Sequence, residues 1–254
     1  DLFTARPVKK NEFKTLPGFQ GDYKLAAMIN PEVADNLKKF SAGLLNHVNP
    51  YTGFAWKDDP VFIGLSLINE NTILHNIRNA SPYLKNLYDA EFQKWCISKK
   101  VTITEKNKNS EYRRFLLDVY RKSWEERAAF VRELGVKMPL TDQNYISMPN
   151  TAIQRASYDY VDNHIYWDHP QFLGKAWSLP TQLNNCSVLA VRMRVPKVIA
   201  PTRIFGKPFT VTEFDFCYPN DYRAEGAPIF GAYAAMQDWD AIYRFAYSHS
   251  AVNM

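Results

Sequence analysis

The chain has 254 residues, of which 46% are hydrophobic, and this composition supports one large core without a signature of disorder. The formal net charge of +5 comes from 31 basic and 26 acidic residues scattered along the chain, with no basic run longer than a pair, which argues against nucleic acid as the main partner. No apolar stretch is long enough to cross a bilayer, so we expect no membrane insertion.

The first elements in chain order are a helix and a buried strand. The helix starts at Asn30-Pro31-Glu32, which provides an N-cap, a proline in the first turn and an acid beside the helix dipole. The near-continuous apolar run at residues 61–68 then predicts a parallel strand that is buried on both faces. The run stops at Asn69 and Glu70, and side chains at this end of a barrel strand face the active-site rim.

The middle of the chain predicts two helices and a short strand. Ser81-Pro82 starts the first helix, and a longer helix covers about residues 110–134 and ends at Gly135. Residues 136–140 predict a short strand that leads to further polar residues. A helix followed by a strand with polar residues at its end is thus predicted here, as in the strand that ends at Asn69 and Glu70.

The C-terminal part of the chain continues the alternation of helix and strand. Helices are predicted at about residues 151–158 and 227–237, and strands at residues 160–166, 209–213 and 241–247. The long connection of residues 167–207 is typical of a lid or a substrate-binding loop.

Strands that alternate with helices predict an α/β fold with a parallel sheet, either closed into a barrel or wound open. The barrel is preferred because no Gly-rich phosphate loop follows any predicted strand. A (β/α)8 TIM barrel would lack its first two to three strands here, with only the tail of one strand at Asp1. We therefore expect residues 1–254 to form a single barrel domain, from the end of strand 3 to strand 8, with an upstream segment of a longer protein completing it.

The cysteines and histidines, which can bind metals or form disulfides in other proteins, show no spacing typical of a metal site or a disulfide framework here. Cys96, Cys186 and Cys217 cannot all pair, and they favour free thiols over a disulfide framework. The five histidines lack the His-x-His and HExxH patterns of metal-dependent hydrolases, which argues against that class.

Two glutamates follow predicted strands in a similar way. Ile68-Asn69-Glu70-Asn71 follows the first strand, and Thr212-Glu213-Phe214 ends a later one. Together they resemble the retaining (β/α)8 glycoside hydrolases of clan A, close to the family 5 cellulase-like enzymes, in which the acid/base Glu follows an Asn at strand 4 and the nucleophile Glu ends strand 7. The resemblance implies a single catalytic domain that cleaves a β-linked glucan, mannan or related saccharide by double displacement, with Glu70 as acid/base and Glu213 as nucleophile.

The resemblance also implies substrate contacts. Asn69 would hydrogen-bond the sugar 2-hydroxyl, and Tyr166 would hydrogen-bond the nucleophile, while His164 would contact the sugar, with a satisfied core histidine as an open alternative. Trp167 and Trp177 are the candidate aromatic platforms. The weaker candidates at strand ends are Asn163, Asp142 and Asn144.

Rival functions remain open at this point. A non-catalytic carbohydrate-binding barrel would keep the aromatic residues but would not need both glutamates, and a transglycosidase would share all of these residues. The resemblance implies an oligo- or polysaccharide substrate without a metal or organic cofactor. The compartment cannot be inferred from the residues, and only the resemblance favours a secreted or periplasmic location.

Overall fold

The computed structural model describes residues 23–145 and 149–247, so the strand tail predicted at Asp1 lies outside the described residues. The chain divides into two compact units, which we call unit 1, up to Leu140, and unit 2, from Thr141 onward. The prediction of a single barrel domain over residues 1–254 with an upstream segment stays a prediction.

Unit 1 is mainly helical. Its helices are α1 (Tyr23–Ile29), α2 (Pro31–Leu45), α3 (Ile73–Asn76), α4 (Pro82–Lys99) and α5 (Lys108–Glu133). The side chain of Asn30 accepts the Val33 N–H at 3.1 Å and that of Ser81 accepts the Leu84 N–H at 3.3 Å, so α2 and α4 start at the predicted caps. Gly135 follows α5 with a φ of +96°, a conformation that glycine adopts without strain.

The apolar run at residues 61–68 does not form the strand that the sequence predicts. Only β1 (Leu65–Ser66) is extended, and the side chains of Val61 and Ile63 are 72% and 69% exposed. The Asp59 carboxylate accepts the Val61 N–H at 3.0 Å, which makes the start of the run a turn. The run therefore begins in a turn and forms a strand only at residues 65–66.

The strand predicted at residues 136–140 is also shorter in the structure. β2 (Leu140–Thr141) contains only two residues. The Leu65 N–H donates to the Pro139 carbonyl at 2.9 Å, which joins β1 to the segment before β2.

Unit 2 contains a parallel three-stranded sheet in the order β3-β6-β7. The elements of unit 2, in chain order after β2, are α6 (Pro149–Arg155), β3 (Val161–Trp167), β4 (Gln171–Phe172), β5 (Thr181–Gln182), α7 (Arg194–Ile199), β6 (Phe209–Phe216), α8 (Gly226–Gln237) and β7 (Ala241–Arg244). Compared with the predictions, β6 continues three residues past Glu213 and β7 stops three residues earlier. The long connection contains α7 and the antiparallel pair β4–β5.

A β-bulge in β6 decides which of its side chains face the core. Val211 pairs with Asn163 and Glu213 pairs with His164, so Thr212 is the extra residue. As a result Phe209 and Val211 before the bulge, and Phe214 and Phe216 after it, all join the hydrophobic core of unit 2. Glu213 lies between these two core pairs, and the bulge turns it to the other face of the sheet.

The strands of residues 23–145 and 149–247 form three separate sheets, and none of these sheets closes into a barrel. The parallel order and the alternation of strand with helix are present in unit 2, as predicted. Within the same ranges, no helix has both the length and the apolar character that a membrane span requires. Cys96 is buried, Cys186 and Cys217 are half-buried, and all three are free.

Candidate active site

Neighbouring positions of β3 and β6 bring three polar side chains together in unit 2. The Tyr166 hydroxyl donates to Glu213 Oε2 at 2.5 Å, and His164 Nδ1 lies 3.4 Å from the same oxygen. The His164 side chain is 1% exposed whereas that of Glu213 is 22% exposed. Glu213 is thus a partly exposed carboxylate with the buried His164 and the half-buried Tyr166 beside it, and its exposed part can meet a substrate.

This arrangement suits a carboxylate that reacts in its ionised form. An ionised carboxylate only accepts hydrogen bonds, so the Tyr166 hydroxyl directs its proton at Glu213 and fixes one of the two oxygens. Hydrogen bonds to charged groups are shorter and stronger than neutral ones. The geometry can therefore hold a nucleophile or a base in one orientation.

Sequence reasoning missed a buried hydrogen-bond chain behind Glu213. Asp162 is 1% exposed, and it accepts from the Thr210 hydroxyl at 2.8 Å, the Thr212 N–H at 3.0 Å and the Thr212 hydroxyl. His164 Nε2 lies 2.9 Å from the Thr212 hydroxyl oxygen. The available signal was the alternation of residues 162, 164 and 166, which share one face of β3.

The surroundings of Asp162 have opposing effects on its pKa. Burial raises the pKa of Asp162 above the ordinary aspartate value, while hydrogen bonds from Thr212, Thr210 and Asn144 and the nearby His164 act to lower it. Asn144 was a weak candidate from the sequence, and the structure places it in this network. Asp142, another weak candidate, is fully buried.

A row of aromatic rings extends from Tyr166 toward solvent. His169 lies 6.1 Å from Tyr166 and 6.0 Å from Trp177, measured between ring centroids, and Phe172 lies 5.1 Å from Trp177. Trp177 is 81% exposed and has a φ of +64°. This left-handed backbone conformation is uncommon for a bulky residue and costs free energy.

Two residues that the sequence predicts as sugar contacts lie on the core side of β3. Trp167 packs against the core of unit 2, and its indole N–H donates to the Cys186 carbonyl at 2.9 Å. Asn163 is fully buried and donates to the Thr202 hydroxyl at 3.0 Å. Because side chains alternate along a strand, neither residue shares the face of Glu213, and their contact with a sugar stays a prediction.

Glu70 and Asn69 belong to unit 1, after β1. Asn69 is exposed and Glu70 is half-buried. Glu70 has a φ of +50°, and its carbonyl accepts from the Asn76 side chain at 3.0 Å. A left-handed conformation at a non-glycine residue is uncommon and costs free energy, as residues at functional sites often do. The acid/base role of Glu70 stays a prediction.

A cavity of about 330 Å³ opens where β6 and β7 end. Two of its lining residues, Phe214 and Asp215, directly follow Glu213 in the chain. Asp215 and Arg244 line it and form an ion pair at 3.1 Å. This volume falls in the range of small-molecule sites. The remaining lining residues are Phe214, Asp221, Arg223, Ala224, Gly226 and Ala227.

Comparison with known proteins gives structural likeness only. No protein-family model and no curated relative matches the chain. The chain is similar to the solved structure of an endo-1,4-beta-mannanase from Rhizomucor miehei, with a TM-score of 0.52 and 14% identity over 90% of this chain and 57% of that one. It is also similar to an endo-beta-1,4-mannanase from Thermotoga petrophila, with a TM-score of 0.50 and 13% identity over 87% and 43% of the two chains.

The chain spans about half the length of these mannanases. At such low identity the likeness establishes the fold and nothing finer. The described residues are similar in fold to part of these mannanase structures, and the resemblance predicted from the sequence is supported at the level of the fold alone.

Proposed function

We propose that this protein is a retaining glycoside hydrolase that cleaves β-glycosidic bonds in a mannan, a glucan or a related saccharide. The observation that carries the proposal is the accessible Glu213 carboxylate, which Tyr166 orients at 2.5 Å on the face of the sheet opposite the core. The fold supports it, because the similar structures are endo-1,4-β-mannanases. A β-1,4-linked mannan is therefore the first substrate to test.

The proposed reaction has two steps, and both glutamates take part in each of them. Glu213 attacks the anomeric carbon as Glu70 donates its proton to the departing oxygen, which gives a glycosyl ester on Glu213. Glu70 then removes a proton from water, and the water oxygen replaces Glu213 at the anomeric carbon, so the configuration is retained. Retaining enzymes hold such carboxyl groups about 5–5.5 Å apart.

The substrate is proposed to lie along the aromatic row. Trp177 presents an exposed ring that can stack against a sugar, and His169 connects this ring to Tyr166. Asn69 is proposed to contact the 2-hydroxyl of the sugar bound at the scissile bond.

The proposal is tested by hydrolysis of β-1,4-mannan and aryl β-mannosides, with NMR of the product anomer. Glu213→Ala should abolish turnover, and azide should restore part of it with inverted configuration, because the small anion replaces the missing nucleophile. Glu225→Gln is the matched control, since Glu225 accepts from Ser187 and the Val188 N–H at 2.6 and 3.0 Å, away from β3, and its loss should leave turnover unchanged.

Other outcomes identify the rivals. Near-normal turnover in Glu213→Ala would refute the assignment of the nucleophile. Saccharide binding without turnover in the unaltered protein would indicate a binding module. Transfer of the sugar to an added saccharide in preference to water would indicate a transglycosidase.

A further inference from the structure

The hydrogen-bond chain behind Glu213 has a direction that the chemistry of its members determines. Asp162 Oδ1 accepts from the Thr210 hydroxyl and the Thr212 N–H. The Thr212 hydroxyl donates its only proton to Asp162 Oδ2, so its oxygen can only accept from His164 Nε2 at 2.9 Å. His164 therefore carries a proton on Nε2.

This tautomer determines whether the ring nitrogen that faces the candidate nucleophile carries a proton. With Nε2 bound to Thr212, the Nδ1 atom of His164 faces Glu213 Oε2 at 3.4 Å. In the neutral ring this tautomer leaves Nδ1 without a proton, so Nδ1 cannot donate to the Glu213 carboxylate. The Tyr166 hydroxyl therefore supplies the hydrogen bond to that oxygen, and the His164 ring adds no second donor to it.

The bulge in β6 makes this chain possible. In a regular strand, Thr212 and Glu213 would point to opposite faces of the sheet. Because Thr212 is the extra residue of the bulge, its hydroxyl reaches Asp162 and His164 while Glu213 still points to the face of Tyr166. Bulges often re-aim side chains next to active sites.

We propose that Asp162 is a positioning residue that acts through Thr212 to set the tautomer of His164, so that an unprotonated Nδ1 faces the Glu213 carboxylate and Tyr166 remains its hydrogen-bond donor on this side. The proposal deepens the function proposed above and depends on it for its catalytic consequence. Its structural half, the Nε2–H tautomer of His164, can be measured without any substrate.

The direct test is nitrogen NMR of the imidazole rings in ¹⁵N-labelled protein, with His164 assigned by its absence in His164→Gln. The unaltered protein should show the Nε2–H tautomer. In Asp162→Asn the amide donates to the Thr212 oxygen, Thr212 then donates to His164 Nε2, and the tautomer should reverse to Nδ1–H. A removed carboxylate beside a catalytic histidine has this effect in serine proteases.

Kinetic measurements test the second half of the proposal, which is the effect of the His164 tautomer on catalysis by Glu213. Asp162→Asn and Thr212→Val should lower kcat about ten- to a hundredfold while KM stays within about twofold, since the Nδ1–H of the reversed ring donates to the reacting carboxylate and weakens it as a nucleophile. Thr212→Ser keeps the hydroxyl and should restore the tautomer and most of kcat. The Thr212 pair remains informative if Asp162→Asn does not fold.

Asp168→Asn is the matched control for loss of a buried carboxylate. Asp168 is 4% exposed and accepts from the side chains of Asn184 and Asn220 at 2.7 and 3.1 Å. This variant should lose stability but keep the His164 tautomer and kcat.

Three results would overturn the proposal: an Nδ1–H tautomer in the unaltered protein, an unchanged tautomer in Asp162→Asn, or equal kinetic effects of Asp162→Asn and Asp168→Asn. A protein with the Nε2–H tautomer but no glycosidase activity would refute the proposed function and leave the assignment of the hydrogen-bond chain standing.

Discussion

Replacing Tyr166 by phenylalanine removes the hydrogen bond to Glu213 and leaves the aromatic ring in place. A hydrogen bond to a charged group contributes about 1.5–3 kcal/mol. Because the Glu213 side chain is 22% exposed, water replaces part of the lost contact, and the lower half of that range applies, about 1.5–2 kcal/mol. We therefore expect kcat/KM to fall roughly 10- to 30-fold.

The assay is steady-state hydrolysis of β-1,4-mannan and an aryl β-mannoside, with urea unfolding as a check on stability. The loss should appear mainly in kcat, since the hydroxyl orients the reacting carboxylate and does not anchor the polymer. Tyr233→Phe is the matched control, because Tyr233 lies on α8 and packs against the core of unit 2. Equal effects of the two substitutions, or full activity of Tyr166→Phe, would refute the reasoning.

Three further predictions concern other residues. Glu70→Ala should spare aryl glycosides with good leaving groups far more than natural substrates, because only poor leaving groups need a proton donor, and equal losses on both would contradict its role. Trp177→Ala should raise KM for the polymer several-fold with little change in kcat or unfolding free energy, since the ring is 81% exposed, and steady-state kinetics that show an unchanged KM would count against the platform. Gly226→Ala should destabilise the protein by about 1–3 kcal/mol in urea unfolding, because the new Cβ would lie 2.8 Å from the buried Phe216 ring, whereas Gly231→Ala meets no atom within 4 Å and should not.

Local signals in the sequence predicted the starts of α2 and α4 and the end of α5, but not the helices α1, α3 and α7. The start of α2 at Asn30 and that of α4 at Ser81 each depend on one side chain that accepts a hydrogen bond three residues later, and the end of α5 depends on Gly135. These interactions involve only neighbours in the chain, so the sequence contains all the information that they need. The alternation in β3 likewise placed His164 and Tyr166 on one face.

The apolar pattern alone predicted a strand over residues 61–68, and only the two residues of β1 form one. A run of apolar residues shows what a segment can bury but not whether a partner covers it, and here the Asp59 side chain instead forms a turn with the Val61 N–H. The same limit affected Trp167, whose residue type suits a sugar platform but whose position on β3 directs it to the core.

The sequence by itself determined the starts of α2 and α4, the end of α5, the parallel strands of unit 2 and the glutamate on β6, because capping and alternation are local. The tertiary structure decided that Glu213 meets Tyr166 and that Asp162, Thr212 and His164 form a chain behind it. That outcome depends on the register of β6 against β3 and on the bulge at Thr212. Register is set by how two distant strands pack together, and neither strand alone contains it.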